Sequence, residues 1–262
     1  MSVSETKRSK IITRLRDSGS VFAEDEAELL ISTAQTLDEL AGMVARRVAG
    51  HPLEYILGWT EFCGLRVIVE PGVFVPRRRT EFLVQQAIAA ARPSRNIIVD
   101  LCCGSGAIGL AVATALGNSE LYAVDIEPSA VRCARRNVAD NGQVYEGDLY
   151  DPLPPALQGR VDILVANAPY VPTEAIEMMP QEARQYEPMV ALDGGADGLD
   201  VQRRVVAKAA MWLAPGGSLI IETSKRQATQ TAEMYSKHAL SPRIVCSDEL
   251  DATVVVGTKP TL

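Results

Sequence analysis

The spacing of apolar positions changes twice along the chain. Up to about residue 50 they recur three and four residues apart, the signature of one buried helix face. Ile11, Ile12 and Leu15 mark a first helix, DEAELLISTA a second and TLDELAGMVARRVAG a third. In the third, Thr36 with Glu39 three residues on forms a capping box, and Leu37, Leu40, Val44 and Val48 recur at the spacing of a buried stripe. Gly50, His51 and Pro52 end it. Between Tyr55 and Glu70 the sequence YILGWTEFCGLRVIVE changes to two short β-rich runs around Cys63-Gly64, which predicts a hairpin.

Beyond PGV and a helix over about Thr80 to Ala91, apolar runs alternate with helical ones: NIIVDL, AIGLAVATAL, ELYAVD, PSAVRCARRNVADN, QVYEGD, VDILVA, LDVQRRVVAKAAMWL, SLIIE and KRQATQTAEMYSKH. Such alternation predicts an α/β fold, a mostly parallel sheet covered by helices on both faces. PRIVCSDELDATVVVGTK carries two β-rich runs with no helix between them, so an antiparallel C-terminal hairpin should close one sheet edge. Pro71, Gly72 and Pro76 mark the best division. The expected organisation is a helical N-terminal domain (1–52), a β-hairpin connector (53–75) and a larger α/β domain (76–262).

Composition narrows the class. The 262 residues are 47% hydrophobic and 23% charged, ordinary usage for a folded protein. A formal charge of −7 argues against direct nucleic-acid binding by a broad electrostatic grip, leaving KRSKIITRLR and Arg77, Arg78 and Arg79 as local basic candidates. Five cysteines without repeated spacing suggest neither a zinc site nor a disulfide framework, so no metal is expected. With no signal-peptide core and no run of about 18 apolar residues, the expected location is the cytoplasm.

The candidate chemistry lies at strand ends. The first strand of the repeat ends at Asp100 and runs into CCGSGAIG, where Gly104 and Gly106 let the backbone approach a ligand. Gly104, Gly106 and Gly109 also satisfy G-x-G-x-x-G, and the next strand ends at Asp125, which suits a ribose. Both features would equally serve a nicotinamide or flavin cofactor. The balance moves to S-adenosylmethionine because a carboxylate at Asp100 can meet the cationic amino group of a methionine moiety but would repel a pyrophosphate. Asp148 and Leu149 after the third strand suit an adenine edge and face. The fourth strand, VDILVA, ends in Asn167, Ala168, Pro169 and Tyr170. Cys102 and Cys103 read as small packing residues, since no His or metal partner is in sequence reach.

The motifs HPLEYILGWTEFCGL, GVFVPRRRTE, DLCCGSGAIGLA, AVDIEPSAVRCARRN, GDLYDPL, NAPYVP, YEPMVALDGGADGLD and PGGSLIIETS occur in this order. In this the chain resembles the class I S-adenosylmethionine-dependent methyltransferases, and within them the peptide chain release factor glutamine methyltransferases, from about His51 to Lys259. The resemblance implies a Rossmann-like doubly wound sheet and an S-adenosyl-L-methionine cofactor, released as S-adenosyl-L-homocysteine. It implies transfer of the methyl group to a glutamine side-chain amide in a protein, with the Gly-Gly-Gln loop of a release factor as the candidate acceptor. By position, Asp100, Cys102, Cys103, Gly104, Ser105 and Gly106 would serve the methionine end, Asp125 the ribose, and Asp148 and Leu149 the adenine. Asn167 would adjoin the cofactor, and Asn167, Ala168, Pro169 and Tyr170 would hold the substrate amide.

Such a tetrad suits any planar NH₂, because a side-chain oxygen at Asn167 and the carbonyl of Ala168 can each accept one of its two N–H groups. Methylation of an exocyclic amine of a nucleic-acid base is therefore the alternative activity. A cofactor-binding protein without turnover and a nicotinamide-dependent reductase are further alternatives. The chain departs from the family pattern at Ala168 (usually proline), at Cys102 (usually glycine), and at Arg78 and Arg79 (usually proline and an acid). The resemblance makes residues 76–262 the S-adenosylmethionine-binding methyltransferase domain and the helical head, residues 1–52, the substrate-docking domain, which is also shorter than usual.

Overall fold

The computed structural model describes residues 3–261. Three helices, α1 (Glu5–Asp17), α2 (Ala23–Thr33) and α3 (Leu37–Val48), enclose their own apolar cluster with Leu15, Ala27, Leu30, Leu40 and Val44. Thr36 caps α3 by accepting from the Glu39 amide at 3.1 Å, while the Glu39 carboxylate returns to the amide of Gln35 at 2.7 Å, one residue earlier than a capping box requires. The apolar stripe is narrower than the spacing suggests. Leu40, Met43 and Val44 are buried, but Leu37 and Val48 at the two ends of α3 stay exposed.

Tyr55 and Ile56 belong to a short helix, α4 (Leu53–Leu57), rather than to a strand. Gly58, in the left-handed conformation, ends it. The hairpin then forms as expected from β1 (Trp59–Phe62) and β2 (Leu65–Ile68), with Cys63 and Gly64 both at positive φ in the turn. Phe62 and Val67 bury their side chains against the larger domain rather than against the helical head.

The remaining elements are α5 (Glu81–Ala89), β3 (Asn96–Leu101), α6 (Ala107–Leu116), β4 (Ser119–Asp125), α7 (Pro128–Val138), β5 (Gly142–Glu146), β6 (Val161–Ala166), α8 (Gln181–Tyr186), α9 (Asp200–Trp212), β7 (Leu213–Thr223), α10 (Ala228–Lys237), β8 (Ser241–Ser247) and β9 (Ala252–Thr258). The seven strands from β3 onward form one sheet in the order β5-β4-β3-β6-β7-β9-β8. The first five are parallel; β9 inserts antiparallel between β7 and β8, leaving β8 on the edge.

Side chains alternate between the faces, as the two-residue strand period demands. Ile98, Ile163, Val165 and Ile220 pack towards α5 and α6, while Val99, Leu101, Leu164, Ala166 and Ile221 pack towards α9 and α10. Chain order reverses at β3, whose neighbours are β4 on one side and β6 on the other. Ligands of open α/β sheets bind at the carboxyl ends of strands beside such a point. Among the described residues, no helix is long and apolar enough to cross a membrane.

Candidate active site

Strand register brings the predicted residues together. Leu101 of β3 pairs with Val124 of β4 and with Ala166 of β6, so the next residues, Cys102, Asp125 and Asn167, leave the sheet side by side. Asp125 pairs in turn with Glu146, which places Gly147, Asp148 and Leu149 at the next strand end. A cleft opens there, lined by Cys102, Cys103, Gly104, Ser105, Asp125, Asp148, Leu149 and the whole stretch Asn167 to Tyr170. Phe74 from the connector and Val190 and Leu192 from the loop after α8 close its other side.

Two residues expected at the cofactor lie behind the wall of the cleft rather than on it. Asp100 is fully buried and faces α6, where its Oδ2 accepts from the amide of Gly109 at 2.8 Å. Its other oxygen has no partner among the described residues. Burial pushes its carboxyl up to about 7, against the pull of that one hydrogen bond, and the nearby Asp125 adds to the rise. Gly106 opens α6 with φ +78°, and a Cβ there would lie 3.1 Å from Val138 and 3.3 Å from Ala134. Its absence of a side chain lets the loop rest on α7. Gly109 answers a close approach of another kind, since a Cβ would come within 2.7 Å of Leu121.

Asp125 braces the glycine loop. Its Oδ2 accepts from the amide of Gly104 at 2.8 Å and its Oδ1 from Glu127 at 2.9 Å. An ionised carboxylate has about four lone-pair positions, so each oxygen keeps one unused by these bonds. Partial burial nevertheless raises its pKa. Asp148 is engaged by Arg204 of α9, an exposed ion pair at the cleft that nothing in the sequence pattern announced. Cys102 adopts φ +56°, a conformation that disfavours side chains and that glycine, the residue the resemblance leads one to expect there, takes freely. Its thiol and that of Cys103 are held protonated by burial and by the acids around them.

After β6 the chain is held from several sides. Val171 donates to Leu192 at 3.1 Å and accepts from Gly194 at 2.9 Å. The Tyr170 carbonyl accepts from the Gln227 side chain at 3.0 Å, and the Tyr170 hydroxyl donates to Glu222 Oε1 at 3.1 Å. Glu222 is the last residue but one of β7, followed by the equally buried Thr223, so it lies near the carboxyl end of its strand as Asp125 does, and the strand-end rule points to it too. Neither the Asn167 carboxamide nor the Ala168 carbonyl is taken up by another described group. Arg79, where the resemblance leads one to expect an acid, ion-pairs with Glu222 at 3.3 Å, and Arg77 grips Glu187 with both contacts at 2.7 Å. Glu81 accepts from the hairpin amide of Cys63 at 3.1 Å.

A doubly wound sheet with a glycine loop, acids on adjacent strand ends and a strand-terminal N-A-P-Y define a class I S-adenosylmethionine-dependent methyltransferase. Residues 64–185 match the model of the methyltransferase small domain family. A release factor glutamine methyltransferase of Geobacter sulfurreducens is 38% identical over 93% of this chain and 92% of its own. One from Mycolicibacterium smegmatis is 40% identical over 74% of this chain and 69% of its own. The chain belongs to the release factor glutamine methyltransferase family. The ribosomal protein L11 methylase structure from Lactobacillus delbrueckii subsp. bulgaricus is similar in fold, with a TM-score of 0.54 at 15% identity over 73% of this chain and 84% of that one.

Proposed function

We propose that this protein methylates the side-chain amide nitrogen of a glutamine in a peptide chain release factor, with Asn167 to Tyr170 as the amide clamp. The observation that carries the reading is the pair of unengaged oxygens, the Asn167 side chain and the Ala168 carbonyl, standing at the strand end beside Cys102 and Asp125. Membership of the family supports the protein substrate.

S-adenosylmethionine supplies an electrophilic sulfonium methyl group. The residues present suit it: the side of Gly104 has no protein atom within 4 Å of where a Cβ would stand, so the loop presents bare backbone. Asp125 has spare lone pairs for the ribose, and Leu149 offers an apolar face for adenine.

A carboxamide nitrogen is a poor nucleophile because its lone pair is delocalised into the carbonyl. Orientation and transition-state electrostatics must therefore do most of the catalysis. Asn167 and Ala168 would each accept one N–H of the substrate NH₂, aiming the nitrogen. Their carbonyl dipoles favour the positive charge that develops there. Pro169 restricts φ and stiffens the turn. The Tyr170 ring offers a face on which the planar amide stacks. The proton leaves to water once nitrogen has become cationic, so no strong base is needed.

The test supplies methyl-labelled S-adenosylmethionine and wild-type protein or Asn167→Ala to extract from cells lacking this protein. Label on glutamine of a release factor, absent with Asn167→Ala, is expected; label removed by nuclease would replace this reading with base methylation.

A further inference from the structure

Glu222 is a carboxylate at 2% exposure, an expensive group to keep in a sheet unless something uses it. Its Oε1 is shared between the Tyr170 hydroxyl at 3.1 Å and Arg79 Nε at 3.3 Å. Its Oε2 has no partner among the described residues. The Arg79 guanidinium carbon lies 6.0 Å from the centroid of the Tyr170 ring, at the outer limit of a cation–π interaction, so the cation stands beside both the acid and the aromatic face.

The other end of Tyr170 is equally constrained. The Gln227 amide nitrogen that holds its carbonyl also reaches the carbonyl of Asp197 at 2.9 Å. At Gly198 a Cβ would stand 2.3 Å from the Tyr170 oxygen and 2.4 Å from that nitrogen. Burial and the charge of Glu222 raise the pKa of the phenol, which therefore remains a donor. Arg79 also has a second exposure. With Arg77 and Met179 it lines both the cleft and an adjoining cavity bounded by Pro52, Glu182 and Glu187.

We infer that Arg79 and Glu222 are positioning residues for the amide clamp, fixing the plane of the Tyr170 ring, with Arg79 standing where the cleft meets the adjoining cavity. This rests on the reading of Asn167 to Tyr170 as that clamp. An acid without Arg79 would be an unbalanced buried charge, and a tyrosine without Glu222 would lose the bond that sets its ring. Holding one such side chain in order before the substrate arrives corresponds to about a three- to tenfold change in rate.

Single-turnover and steady-state kinetics on a glutamine-containing release-factor substrate would compare wild type with Arg79→Ala, Arg79→Lys, Glu222→Gln, Tyr170→Phe and the double variant Glu222→Gln/Tyr170→Phe. Arg79→Ala, Glu222→Gln and Tyr170→Phe should each lower kcat by about three- to tenfold, leaving S-adenosylmethionine affinity within about twofold of wild type. Arg79→Lys, which can still pair with Glu222, should recover most of the loss. The double variant should be no slower than the slower single one, because Glu222→Gln weakens, by removing the charge, the same contact that Tyr170→Phe abolishes. Multiplying losses, or a lowered unfolding midpoint with kcat intact, would overturn the inference.

Tyr170 order is read independently of turnover from the aromatic resonances of ring-labelled protein. Loss of a distinct, ordered Tyr170 signal in Arg79→Ala is expected, and an unchanged signal would overturn the inference even if Glu222→Gln failed to fold. Failure of the wild type to methylate glutamine would instead defeat the clamp reading.

Discussion

Asp125 Oδ2 accepts from the amide of Gly104 across the top of the sheet at 2.8 Å. The carboxylate at the second parallel strand end thus holds the glycine loop that follows the first. One side chain therefore couples the proposed ribose contact to the shape of the methionine end.

Asp125→Ala should weaken S-adenosylmethionine binding more than loss of a ribose contact alone. Hydrogen bonds to a charged group are worth about 1.5 to 3 kcal/mol. Calorimetric titration should show about a tenfold or greater rise in Kd for Asp125→Ala and a smaller one for Asp125→Asn, which keeps one oxygen for the loop. Equal effects of the two changes would remove the bracing role.

Asp100 makes stability depend on pH. The folded carboxyl holds its proton up to about 7, whereas an unfolded aspartic acid releases it near about 3.9. In that window the folded chain binds more protons, so stability is highest below it and falls as pH rises through it. Asp100→Asn removes this slope. Relative to wild type, the variant should gain on the order of 2 kcal/mol between about pH 5 and about pH 8 in urea denaturation. A constant difference across that range would contradict the assignment.

Cys102 at φ +56° predicts a split between two substitutions. Glycine adopts this conformation freely, so Cys102→Gly should change stability by less than about 1 kcal/mol. A β-branched side chain is least compatible with it, and Cys102→Val should cost about 2 kcal/mol or more. Chemical denaturation of the two variants side by side would decide it.

Arg47 of α3 grips Glu26 through two bonds of 2.9 Å and reaches Glu182 of α8 at 3.4 Å. Glu26 is nearly buried, while Glu182 is half exposed. Arg47→Met should therefore cost about 3 kcal/mol by stranding the Glu26 charge. Glu182→Gln should cost below about 1 kcal/mol, as exposed pairs do. Thermal unfolding of both variants measures the contrast.

Much of the fold was legible in the sequence because local spacing carries it. The alternation from NIIVDL to KRQATQTAEMYSKH, the C-terminal hairpin and the Cys63-Gly64 turn all follow from side-chain period and turn chemistry. Leu37, Val48 and the strand expected at Tyr55 misled for the same reason: a local pattern says which residues could be buried, not whether a neighbour arrives. The strand-end rule located Asp125, Asp148, Leu149 and Asn167 to Tyr170 on one cleft.

What the sequence by itself determined was the order of elements, the acids and glycines at successive strand ends, and the family to which their joint order belongs. The tertiary structure alone decided that Asp100 faces α6 rather than the cleft, because its position in β3 sets the face its side chain takes. It alone joined Arg79, Tyr170 and Glu222, which lie 91 and 52 positions apart along the chain. Contacts of that separation depend on strand order and register, and no local periodicity encodes them.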